Sequence, residues 1–112
     1  MSCKVERYRE LILAISEHLA QYGDQRWAPR LEGWLTELDD SETENKQYLV
    51  DHVERMQKAL GGMGSIGDIV ICPEAGYSIQ NEEGLIQKAN DDLLRLVRLL
   101  DKCISSILNK YK

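Results

Sequence analysis

The sequence predicts a mainly α protein: a four-helix antiparallel bundle with a small β-hairpin ahead of a long C-terminal helix. Three observations carry that expectation. Apolar residues recur at alternating spacings of three and four in four separate segments. Only one run, Ile69-Val70-Ile71-Cys72, has the β-branched composition of a strand. The 112 residues are one domain's worth, residues 1–112, enough to bury roughly two-thirds of the unfolded chain's surface.

In the first helix Val5, Tyr8, Ile12, Ile15, Leu19 and Tyr22 share one face, with Ser2 as a candidate N-cap and Gly23 as a stop. The second carries Trp27, Leu31, Trp34, Leu35 and Leu38 on one face and is expected from about Trp27 to Leu38. Pro29 must lie in its first turn, because deeper in the helix it removes a backbone hydrogen bond and clashes. Ser41 followed by Glu44 reads as a capping box for the third helix, whose stripe is Leu49, Val53, Met56 and Leu60. Tyr48 and His52 are expected at the edge of that stripe. Gly61 and Gly62 end it, and Gly64, Gly67 and Asp68 belong to a turn in which glycine allows sharp bends and close backbone approach. Residues 69–72, Pro73-Glu74-Ala75-Gly76 and Tyr77-Ser78-Ile79 read as strand, turn and returning strand. The last helix repeats Ile86, Ala89, Leu93, Leu96, Leu100, Cys103 and Ile107, with Val97, Ile104 and Leu108 widening the stripe. It is expected to run for about 25 residues. Its acids come first and its bases last, matching the helix dipole.

Composition narrows the function. Hydrophobic residues make up 43% and charged residues 29%, the balance of a folded globular chain. No apolar run reaches a membrane span, and the N-terminal segment lacks the apolar core of a signal peptide. The net charge of −5 argues against nucleic acid as the main partner. Three cysteines without a C-x-x-C pair suit neither a disulfide framework nor a zinc knuckle, so a reducing cytoplasm is the expected location.

Catalytic and cofactor motifs are weak. Residues 62–67 match G-x-G-x-x-G literally, but a helix precedes them and an extended run follows, the reverse of a dinucleotide-binding context. His18 and His52 lack the company of metal ligands, and no base accompanies Cys3, Cys72 or Cys103. The expectation is a chain with no enzymatic activity, no cofactor and no metal. Scattered carboxylates that converge in space are the one arrangement a sequence does not reveal.

Two acidic regions are candidate partner-binding surfaces. Residues 32–54 hold eight acids against one base, Lys46; Asp39, Asp40, Glu42, Glu44 and Asp51 are the candidate contacts there. In the second region Glu74, Glu82 and Glu83 flank Tyr77, where loops on a rigid scaffold carry contacts. Both also have a plain reading, as solvated corners and helix N-termini. Trp27 and Trp34 are expected in the core, or as anchors at an interface.

The stretch Gly61-Gly62-Met63-Gly64-Ser65-Ile66-Gly67-Asp68-Ile69-Val70-Ile71 resembles a small bacterial domain family whose members show GGMGSFND before a short apolar strand. Trp27 with Trp34, and Ala89-Asn90 in the last helix, extend the resemblance over most of the chain. Ile66 and Gly67 replace the usual Phe and Asn but leave the glycine turn in place. Such domains look like the immunity proteins that accompany polymorphic and type VI secreted toxins. The resemblance implies a binding protein that neutralises a cognate toxin domain. An acidic surface of this kind would suit a basic active-site cleft. The alternative is a small homodimeric scaffold or regulatory adaptor, paired through the long last helix.

Overall fold

The computed structural model describes residues 3–40, 46–61 and 65–111, with side chains over 5–38, 47–61 and 65–111. Four helices follow in order: α1 (Cys3–Gln21), α2 (Trp27–Asp40), α3 (Lys46–Leu60) and α4 (Glu83–Tyr111). Ser2, Ser41, Glu42, Glu44, Gly62 and Gly64 lie outside the described residues, as do the side chains of Cys3, Asp39 and Asp40.

The apolar stripes become the core. Tyr8, Ile12, Ile15 and Leu19 of α1 are fully buried, as are Leu31 and Leu38 of α2 and Leu49, Val53 and Met56 of α3. From α4 come Leu100, Ile104 and Ile107, with Ala89 and Leu93 almost as deep. Trp27 is buried, while Trp34 and Cys103 pack half-buried at the core's margin. Pro29 falls in the first turn of α2, as its chemistry requires.

α1 packs between α2 and α4, and α3 lies on α4. His18, late in α1, donates from Nε2 to the Ala89 carbonyl early in α4, at 2.8 Å. Glu10 and Leu11, earlier in α1, share a groove with Leu99 and Ser106. The two helices therefore run antiparallel. The long axis of the molecule is 45 Å. That is close to the length of α4 alone, about 43 Å at 1.5 Å per residue.

The expected β-hairpin is absent: the described residues contain no strand. Residues 65–82 instead form two 3-10 turns, Ile66–Asp68 and Pro73–Ala75, joined by extended backbone. The groups that a hairpin needs are engaged elsewhere. Ile71 pairs with the side chain of Asn90, and the Ser78 N–H donates to the Tyr22 carbonyl at 2.8 Å.

His52 also departs from expectation. It is 1% exposed, at the junction of three helices rather than at an edge. Its Nε2–H donates to the Trp34 carbonyl at 3.0 Å, which leaves Nδ1 to accept the Tyr8 hydroxyl at 2.7 Å. Burial holds His52 below its ordinary pKa, and the Arg55 guanidinium pulls the same way. The Trp34 hydrogen bond and Glu37 oppose them. Burial likewise pushes the Tyr8 hydroxyl well above its usual range.

Candidate functional site

The end of the bundle where α1 hands over to α2 is built by side chains acting on backbone. Gly23 leaves α1 with φ +79, a left-handed conformation that glycine adopts without a Cβ clash. Asp24 follows and caps α2. Its Oδ1 accepts the N–H groups of Arg26, Trp27 and Ala28 at 3.0, 2.6 and 2.9 Å. The other oxygen, Oδ2, accepts the Tyr77 hydroxyl at 3.0 Å. One carboxylate thus starts a helix and holds a loop 53 residues away. Partial burial, then the bond to Asp24 and its charge, push the Tyr77 hydroxyl up to about 12.

A second clasp lies deeper. Asn90 Oδ1 accepts the Ile71 N–H at 2.7 Å, and Asn90 Nδ2 donates to the Ile71 carbonyl at 2.9 Å. Nδ2 also donates to the Ile86 carbonyl of its own helix at 2.8 Å, which fixes the amide's orientation. Ile71 is fully buried beside it. Gly67 completes the packing, because a Cβ there would collide with the Leu60 carbonyl at the end of α3.

These constraints frame an open cleft of about 700 Å³. Its lining comes from the turn at Gly23, Asp24, Arg26 and Trp27, and from Asp68, Ile69, Val70, Tyr77 and Ser78 of the loop. Arg26 sits 6.0 Å from the Trp27 ring and Arg30 5.1 Å from it, so the rim at α2 carries cations over an indole face. The facing loop is acidic. Residues 65–83 contain Asp68, Glu74, Glu82 and Glu83, all exposed, and no base.

Of the candidate contacts in residues 32–54 only Asp51 has a described side chain, and neither it nor Glu74, Glu82 or Glu83 lines the cleft. Glu74, Glu82 and Glu83 are exposed around the loop, and Tyr77 is half-buried with its hydroxyl engaged by Asp24. Asp51 lies exposed on α3 and accepts from Gln47 at 2.9 Å. Glu37 pairs with Arg55 at 2.9 Å. α2 starts at the cleft, and its 14 residues carry the backbone about 20 Å along the helix axis.

Asp24 and Asn90 are the residues that pattern reading passes over. Each had a signal. An aspartate just after a helix-stopping glycine and before an apolar-periodic segment is a capping signal. An asparagine beside the buried stripe of a long helix needs a polar partner.

The described residues contain no cluster of three or more metal-ligating side chains, and no helix long and apolar enough to cross a membrane. The Tyr8–His52 pair is sealed in the core, away from the cleft. Residues 20–80 match a family described as a domain of unknown function, DUF6966, and the chain belongs to that family. No curated protein and no solved structure matches it. The matched segment contains every residue lining the cleft.

Proposed function

We propose that this chain is an immunity protein, which binds a cognate secreted toxin domain in the cytoplasm and neutralises it by covering its active site with an acidic surface. The observation that carries the reading is the base-free acidic segment 65–83, pinned to the helices by Asp24, Tyr77 and Asn90 beside an open cleft. A loop held in one conformation before binding loses little entropy when it docks. Four exposed carboxylates speed encounter with a basic surface and disfavour acidic competitors. The resemblance of residues 61–71 to domains of this kind points the same way.

The partner is then a basic protein domain, not nucleic acid or a membrane. Gentle affinity purification of the chain from its native cells tests the reading. A stoichiometric, salt-sensitive basic protein is expected, toxic when expressed alone and harmless when co-expressed. Recovery of the chain alone, or only with itself, overturns it.

One observation favours a second reading, the homodimeric scaffold or adaptor. On α4, Leu94 and Leu99 remain 45% and 36% exposed on a face shared with Asp91, Arg95, Arg98 and Lys102. A monomeric mass and a thermal midpoint independent of protein concentration count against that alternative.

A further inference from the structure

We infer that the main chain at Val70 is a docking edge for an extended, basic segment of the partner protein, which lies in the cleft and pairs with it as an added strand. This rests on the inhibitor reading above.

The extended backbone is the starting point. Ile69 has φ −70 and ψ 131, and Cys72 has φ −158 and ψ 159. In an extended chain the N–H and C=O of one residue point to one side, and those of the next residue to the other. Both main-chain groups of Ile71 are taken by the Asn90 amide. That side chain stands where a neighbouring strand's peptide group would stand, and it closes one edge. The groups of Val70 face the opposite way. No hydrogen bond from any described residue reaches its N–H or its C=O. Val70 is 60% exposed, the most open of the large apolar residues among those described.

Space and charge select the occupant. Besides a second, smaller groove that they line with Asn90, Ile69 and Val70 line the cleft of about 700 Å³ together with Asp24, Trp27 and Tyr77. A strand laid there exchanges main-chain bonds with Val70 and sends alternate side chains towards and away from the cleft floor. A second copy of this chain is the obvious competitor for an open edge. It would bring the same four acids of residues 65–83 against their own image, and like charges across a strand pair repel. A segment rich in lysine or arginine meets the opposite sign along residues 65–83, while Arg26 is the one base that lines the cleft. Main-chain pairing then supplies affinity, and the acidic flank supplies selection.

The test uses the full chain and, as probe, an octapeptide of alternating lysine and valine. Hydrogen exchange at the Val70 amide is read by NMR. At saturating peptide the Val70 amide is expected to exchange at least about tenfold more slowly. The same peptide N-methylated at every residue keeps the charge and loses the donors, and is expected to give no protection. Val70→Pro removes the N–H without breaking any bond in the free protein, and the backbone of Ile69 already suits a following proline. This variant is expected to keep its thermal midpoint and bind peptide at least about tenfold more weakly. Should it fail to fold, the exchange measurement on the unaltered chain decides alone. Unchanged Val70 exchange at millimolar peptide, or equal binding of the methylated peptide, overturns the edge. A toxin partner that binds V70P as tightly as the unaltered chain overturns the edge and leaves the inhibitor reading standing. Protection of Val70 in a chain that recovers no partner from cells supports the edge and removes the inhibitor reading.

Discussion

The helical interior and the loop end each contain a polar network, and the two do different work. In the interior Tyr8, His52 and the Trp34 carbonyl link three helices whose backbone groups are already satisfied by their own helical turns. The network there adds orientation, locking one histidine tautomer against its neighbours. At the loop end Asp24 and Asn90 do the backbone's own work, supplying partners to N–H groups left open at the start of α2 and to both main-chain groups of Ile71, which belongs to no helix or sheet. The interior should therefore tolerate loss of a side-chain bond better than the loop end does, since a stranded main-chain group in a buried segment has no alternative partner.

Asn90→Leu gives that comparison its hardest test. It leaves the Ile71 N–H and C=O unpaired next to a fully buried side chain. A loss of about 2–4 kcal/mol in urea denaturation is expected. Asn90→Asp keeps the acceptor for the Ile71 N–H and loses both donors, so it should fall between. Gly67→Ala comes next, at about 1–3 kcal/mol, because its Cβ meets the Leu60 carbonyl and backbone must shift to make room. A neutral Gly67→Ala would mean that the loop end yields more readily than the clasps imply.

In the interior, Tyr8→Phe should cost about 1–2 kcal/mol by leaving His52 Nδ1 without its donor. The same network carries a pH dependence. The folded protein holds His52 below its ordinary value of 6.5, so on acidification the unfolded chain takes up the proton first. Stability is then complete above pH 6.5 and falls as pH drops from 6.5 towards the folded value. Urea midpoints measured across that window should show this slope in the unaltered chain and in Asn90→Leu, and a flattened one in His52→Gln. An unchanged slope in His52→Gln would assign the acid sensitivity to another group. The smallest effect on stability belongs to the triple charge reversal Glu74→Lys, Glu82→Lys, Glu83→Lys, expected within about 0.5 kcal/mol because all three are exposed. On the proposed function, its effect on partner binding is larger. Association should slow by roughly tenfold at low salt and by less at high salt.

The division between the two regions also governs what pattern reading recovers. Stripes at three-four spacing located all four helices, because burial of one face is a property of the segment itself. The β-branched run 69–72 reads as a strand of a hairpin, and the structure has no strand there. Propensity describes what a backbone does and not what it bonds to, and the partner here is a side chain 19 residues away. His52 reads as an edge residue because the apolar pattern has no place for a buried ring. What admits it is a tyrosine hydroxyl 44 residues earlier in the chain. Of the candidate partner-binding residues with described side chains, Tyr77 lines the cleft, whereas Glu74, Glu82, Glu83 and Asp51 are exposed outside its lining.

The atoms held by Asp24 Oδ1 and Asn90 are all main-chain atoms: the N–H groups of Arg26, Trp27 and Ala28, both groups of Ile71 and the Ile86 carbonyl. Such a clasp is blind to which side chains the held segments display. Val70 and Glu74 can be exchanged for other residues without disturbing the bonds that shape the loop. The outward-facing residues of the loop can therefore change while the frame that holds it stays the same.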